Sequence, residues 1–132
     1  MENLAVAQSF FLAHLPKKLI QTIDWSTLTI ADSARRIPGR KSLQTDITHH
    51  CLTKESSGHI YLHVEQERKV DHAILGRNFA YNAGLYYKHR KQGHKKLPLI
   101  VNILLYNGTR ANFLMLRIFM RTLNVLIWQG WC

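Results

Sequence analysis

Apolar residues fall at helical spacing from the start of the chain. In NLAVAQSFFLAHL they are Leu4, Val6, Phe10, Phe11 and Leu15, which predicts an amphipathic helix. PKKLIQTID follows, with Pro16 at a first helical position and Leu19, Ile20 and Ile23 on one side. WSTLTIADSARRIPGRKS reads as a connector with a short extended piece at Leu28 to Ile30 and a Pro38-Gly39 turn. The period then changes from helical to alternating. TDITHHCLTK and HIYLHVEQE flank ESSG, a loop of turn-favouring residues, and predict a β-hairpin. In its second strand Ile60, Leu62 and Val64 share one face, and Tyr61, His63, Glu65 and Glu67 share the other. Two registers are open. Pairing Lys54 with His59 sets Asp46 opposite Glu67; a shift of two residues sets it opposite Glu65.

Beyond the hairpin, DHAILGRNFAYNAGLYYKHRKQG predicts a helix. Asp71 is a suitable N-cap, Ile74, Leu75, Phe79, Leu85 and Tyr86 form its apolar stripe, and Gly93 ends it. Lys88, His89, Arg90 and Lys91 in the last turn suit the negative end of the helix dipole. LPLIVNILLYNG is nearly continuous in apolar residues, as a strand covered on both faces is. Strand, helix and buried strand make a βαβ unit with an expected right-handed crossover. The fold class is therefore α/β: N-terminal helices, then a mixed sheet built from a hairpin and a βαβ unit.

A length of 132 residues and a hydrophobic fraction of 46% suit one globular domain. No apolar run is long enough to span a bilayer, and MENLAVAQSFF has no basic n-region of a secretory signal. Cys51 and Cys132 fit no metal or redox spacing, and a reducing cytoplasm is the expected location. Charge changes the picture more. Eighteen Lys and Arg against eight Asp and Glu give +10, an excess that favours polyanions through counterion release. Candidate phosphate contacts are Arg35, Arg36, Arg40, Lys41, Lys88, Arg90, Lys91, Lys95 and Lys96. A nucleic acid is a candidate partner on this ground, and no membrane is expected.

In so basic a chain, a strand that ends in Glu65-Gln66-Glu67 calls for an explanation. Phosphodiester hydrolysis needs a placed hydroxide and a sink for transition-state charge, and one or two Mg²⁺ ions supply both. Mg²⁺ takes hard oxygen ligands and keeps several waters, so one or two carboxylates suffice. Asp46 and Glu65 on neighbouring strands can hold such an ion, with Glu67 on the same face near the attacking water. His50 and His63 share that face as further candidate ligands or bases. The competing account is a solvated sheet face with no site on it.

The segments FFLAHLPKKLIQTIDWSTL, TDIT, IYLHVEQE and LGRNFAYNAGLYYKHRKQGHKKLPLIVNILLYNG, in that order and spacing, resemble the Rpn family of recombination-promoting nucleases. This family is also classed among transposases and lies within the PD-(D/E)XK nuclease superfamily. The resemblance covers about Asn3 to Arg110. It implies a restriction-endonuclease-like core and metal-dependent DNA cleavage. It also implies metal-binding roles for Asp46 and Glu65, with Glu67 at the third motif position. There the superfamily usually has Lys and the family Gln. A Glu cannot polarise the water as a cation does, and Lys69 is a substitute on the same alternation. The family also has a helix ahead of the matched part. A chain that holds DNA without cutting it, or a remnant without function, is the alternative reading.

The tail, residues 113–132, is atypical. FLMLRIFMRTLNVLIWQ has the length of an apolar helix able to cover the sheet. A second account is a shifted reading frame. One permitted set of codons from Leu114, with a C restored ahead of it, reads PYAEDIYEDFERPDLARM, an acidic stretch similar to what the family carries after LLYNG. Residues 1–112 are accordingly expected to form one nuclease-like domain, itself incomplete.

Overall fold

The computed structural model describes residues 3–31, 47–55, 57–67, 73–106 and 126–129, with side chains omitted at 66, 67, 74, 75, 106 and 126–129. Helix α1 spans Leu4–His14. The side-chain oxygen of its N-cap, Asn3, accepts from the amides of Ala5 and Val6 at 2.9 and 3.4 Å, satisfying two of the donors a helix start leaves open. Leu15 is extended, and Pro16 precedes the short helix α2, Lys17–Thr22.

Strand β1 then runs over Ile23–Ile30. This corrects two expectations: Ile23 belongs to the strand rather than the helix, and the extended piece is much longer than Leu28 to Ile30. β-Branched residues at Ile23, Thr27, Thr29 and Ile30 suit a strand, and antiparallel pairing with β2, Ile47–Thr53, holds them there. The register breaks between Asp24 and Thr29. Local bonds absorb the bulge: Ser26 donates its amide (3.1 Å) and hydroxyl (2.6 Å) to Asp24 Oδ1, and the Leu52 amide donates to Thr27 Oγ1 at 2.9 Å. Such bonds leave no periodic trace in a sequence.

β2 pairs antiparallel with β3, His59–Glu67, from Leu52↔His59 to Ile47↔Val64. This is the second of the two registers expected. The turn closes with the Thr53 amide donating to the Gly58 carbonyl (3.0 Å) and the Gly58 amide to Thr53 Oγ1 (3.1 Å). A Cβ at Gly58 would lie 2.8 Å from Thr53 Cγ2, so a larger residue there would have to displace the Thr53 side chain that closes the turn.

β3 continues through α3, Ala73–Lys91, to β4, Leu99–Tyr106, which pairs parallel with β3 from Ile60↔Leu99 to Glu67↔Tyr106. Gly93, at φ +95°, turns the chain out of α3, as its position predicts. β5, Leu126–Gln129, adds parallel to β4 and completes a five-stranded mixed sheet in the order β1-β2-β3-β4-β5. Residues 126–129 are therefore strand, which corrects the helical account of the tail at those positions. The rest of 107–125 lies outside the described residues.

One sheet face carries the apolar core. Cys51, Ile60, Leu62, Val64 and Ile103 pack with Ala7 and Phe11 of α1, with Leu15 just after it, and with Ile23 and Leu28. Burial pushes the Cys51 thiol up to about 12, which makes it a packing group rather than a nucleophile. The opposite face lies against α3. Helices on both faces of a mixed sheet, with a hairpin leading into a βαβ unit, are compatible with the restriction-endonuclease-like core that the resemblance implies. Among the described residues no helix is long and apolar enough to cross a membrane.

Candidate active site

Side chains alternate along β3, so His59, Tyr61, His63 and Glu65 all point at α3. The interface they meet is polar. Glu65 is 2% exposed, His63 4%, Tyr61 7% and Asn102 of β4 7%, and α3 contributes Asn78 at 3% and His89 at 1%. Phe79, expected in the buried stripe of α3, is 76% exposed. Leu85 of the expected stripe is buried, and the rest of the inner side reads Arg77, Asn78, Tyr81, Asn82 and His89. The expectation failed because the helix packs on a polar strand face, so its polar residues are the ones drawn inward. Ile74 and Leu75 have side chains outside those described.

Two clusters divide this interface. At the carboxyl end of β3, Arg77 Nη2 donates to Glu65 Oε1 at 2.7 Å, with the two side chains 15% and 3% exposed. Removing an ion pair this far from water is costly, and the short charge-assisted bond is what offsets the cost. Thr48 Oγ1 lies 2.9 Å from His63 Nδ1, and the His63 ring stands 5.1 Å from that of Tyr81. The Oδ1 atoms of Asn78, Asn82 and Asn102 are buried and accept no hydrogen bond among the described residues.

At the amino end of β3 four histidine rings pack together, His50 stacked on His59 and His89 on His94, with His59 edge-on to His89. His50 Nε2 and His59 Nδ1 are 2.8 Å apart. Tyr61 Oη lies 3.1 Å from His89 Nδ1, and His89 Nε2 lies 3.1 Å from the Lys96 carbonyl, to which it donates. Burial, and then the neighbouring His59, His89 and His94, lower the His50 pKa to about 4. Burial lowers His59 and His89 as well, helped by His94. These imidazoles are therefore neutral at neutral pH.

Of the residues expected in the site, Glu65 sits at its centre and His63 beside it. His50 belongs to the histidine cluster instead. Glu67 is in β3 opposite Tyr106, with its side chain outside the described set. Asp46, Arg35, Arg36, Arg40, Lys41, Lys69 and Asp71 lie outside the described residues. Lys88, Arg90, Lys91, Lys95 and Lys96 gather at the far end of α3, about 20 Å from Glu65 by strand rise. There Arg90 donates to the Lys95 carbonyl at 3.1 Å, and the Lys91 ammonium lies 5.9 Å from the Tyr87 ring centre.

Arg77, Asn78, Tyr81, Asn82 and Asn102 were not anticipated. Their signal was available: within GRNFAYNAGLYYKHR, Asn78, Tyr81, Asn82, Leu85 and His89 recur at helical spacing, so a largely polar stripe competes with the apolar one.

Comparison with known proteins gives the family. A family profile described as "Putative transposase, YhgA-like" matches residues 1–127. The match continues past Arg110, where the sequence reading had the resemblance end, and takes in most of the tail. The chain is 28% identical over 102 residues to the recombination-promoting nuclease RpnC of Escherichia coli K12, covering 77% of this chain and 34% of that protein. It is 27% identical over 108 residues to RpnD of Escherichia coli O157:H7, covering 81% and 42%. It is 24% identical over 107 residues to the inactive recombination-promoting nuclease-like protein RpnE of Escherichia coli K12, covering 81% and 36%. The chain thus spans roughly a third to two fifths of the length of these curated relatives. No solved structure matches it. The polar layer under α3 and the hairpin that feeds it are thus features of a chain that belongs to the YhgA-like transposase family, alongside the recombination-promoting nucleases.

Proposed function

We propose that this chain carries the catalytic core of a metal-dependent DNA endonuclease, linked to recombination or to mobile elements. The observation that carries the reading is Glu65: a carboxylate buried at the end of a hairpin strand, on a polar interface, with an arginine as its counter-charge. Burying a charged pair adds little to stability even when it is well matched, which supports a role for Glu65 beyond packing. The names of the relatives support a nuclease, and the excess of basic residues supports a phosphate-rich substrate.

The donor set suits a hard divalent cation. Glu65 supplies the carboxylate oxygen such an ion prefers, and Asn78, Asn82 and Asn102 carry further buried amide oxygens on the same interface. In this reading Asp46 and Glu65 hold Mg²⁺, and Glu67 stands at the third motif position. When bound, the ion supplies an activated water and a sink for charge on the phosphoryl oxygens. Arg77 positions Glu65 and supplies a cation beside it, where the motif itself brings a second acid. His63, held by Thr48 and walled by Tyr81, lies two residues away on the same face. The basic residues at Lys88 to Lys96, with Arg40 and Lys41, track the DNA backbone.

The test is nicking of supercoiled plasmid by the purified chain in Mg²⁺. Glu65→Gln and Asp46→Ala should each lower the rate about 100-fold or more, since metal-based charge stabilisation is worth several kcal/mol. Equal rates in both variants and the unaltered chain would end this reading. A second reading is DNA retention without cleavage. It is favoured by the acid at position 67 and by the Arg77 bond that occupies one Glu65 oxygen. Salt-sensitive DNA binding with no nicking at any Mg²⁺ concentration selects it.

A further inference from the structure

The histidine cluster is separate from the carboxylate end of the interface and is left unused by the proposed reaction. We infer that His59, His89 and His94, with His50 behind them, form a second metal site, selective for a divalent transition ion of the zinc class. It takes one ligand from the start of β3, one from the last turn of α3 and one from the loop leading to β4.

The geometry is the first support. One ring nitrogen from each of His59, His89 and His94 lies within 4.8 Å of the others. The ring centres stand 4.3 Å apart for His59 and His94, 4.4 Å for His89 and His94, and 4.8 Å for His59 and His89. Zinc–nitrogen bonds of about 2.0–2.1 Å in a tetrahedron put ligand nitrogens about 3.3 Å apart, so the three nitrogens need to approach by about 1.5 Å at most, through rotation of the rings. The group borders a half-open cavity of about 180 Å³ lined by His50, His59, His94, Tyr61, Lys88 and Gln92, with room for an ion and a water.

Orientation is the second support. A histidine that binds a metal through one nitrogen usually donates the other N–H to a carbonyl or carboxylate, which fixes its tautomer. His89 does this: its Nε2 donates to the Lys96 carbonyl, leaving Nδ1 with a lone pair that now accepts from the Tyr61 hydroxyl. His59 Nδ1 lies 2.8 Å from His50 Nε2, and with His59 as the donor of that bond its Nε2 is left for the ion. Gly93, at φ +95°, bends the chain so that His94 returns to the group, a conformation that a side chain would strain.

Chemistry sets the class of ion. Imidazole nitrogens suit zinc, nickel or copper, whereas Mg²⁺ demands oxygen. A ring nitrogen binds the ion only when unprotonated, so uptake weakens in acid. Bound there, the ion ties the hairpin to the return of the crossover and leaves the Glu65 end untouched.

Equilibrium dialysis of the full chain against micromolar Zn²⁺, in excess Mg²⁺, with metal quantified, tests this. One ion per chain is expected. The double variant His59→Gln/His94→Gln should bind at least about 100-fold more weakly, having lost two of three ligands. Glu65→Gln should take up zinc as the unaltered chain does. Failure of the unaltered chain to retain zinc, equal retention by the double variant, or loss of uptake in Glu65→Gln would each overturn the site. A measurement that needs no variant is cobalt substitution: Co²⁺ should give the intense visible bands of a tetrahedral nitrogen site. The weak spectrum of an octahedral aquo ion would overturn it.

Discussion

Glu65 shows how one residue can be assigned from a sequence while its state is not. Alternation placed it on the same face as His63, and the structure agrees. Its partner came from a helix whose facing could not be read from spacing. The Arg77–Glu65 bond makes a sharp prediction in metal-free buffer. Arg77→Ala leaves a carboxylate buried with its counter-charge removed and should lower unfolding stability by about 3–5 kcal/mol. The double variant Arg77→Ala/Glu65→Gln should lose clearly less than the sum of Arg77→Ala and Glu65→Gln alone. Urea denaturation of the four proteins in this cycle checks both statements, and additive effects would show that the two side chains do not interact. Asp46 belongs to the same question, since the register found for β2 and β3 is the one that the sequence reading paired with a Glu65 opposite Asp46.

At the scale of the element, α3 is the informative case. Its length, its basic last turn and the glycine that ends it were legible, because each depends on neighbours within a turn or two. Its facing was not. Five apolar positions suggested one stripe, yet Phe79 points to solvent, and the packed side presents Asn78, Leu85 and His89. Leu85→Ala should therefore cost about 2–5 kcal/mol, as a buried leucine does, while Phe79→Ser should change stability by about 0.5 kcal/mol or less. Thermal melting of the two variants separates this facing from the one the apolar count suggests. β1 teaches a related lesson. Ile23 fits a helical stripe with Leu19 and Ile20, but pairing with Thr53 across the sheet draws it into a strand. For the tail, the codons of the gene decide between an authentic segment and a shifted frame. Codons incompatible with the acidic reading would dispose of the shift.

The whole molecule responds to pH through the histidines. The fold lowers the His50 pKa from its ordinary 6.5 to about 4 and lowers His59 and His89 in the same direction. Above pH 6.5 these rings are neutral in both folded and unfolded chains and do not bias folding. As pH falls from 6.5 toward 4 the unfolded chain binds protons that the fold excludes, so stability declines across that window. Melting temperatures measured in chelator should drop between pH 6.5 and 4, and His50→Gln should flatten the drop. A slope unchanged by that substitution would place the linkage elsewhere. By itself the sequence determined the order of most elements, the hairpin with two permitted registers, the βαβ unit, the basic excess and the family. All of these rest on local period, turn chemistry or motif spacing. Only the tertiary structure decided which register was used, that the underside of α3 is polar, that Arg77 meets Glu65, and that histidines scattered from β2 to the α3–β4 loop converge. The reason is physical: a local pattern reports interactions between near neighbours, whereas register, helix facing and side-chain convergence are settled by contacts between residues far apart in the chain.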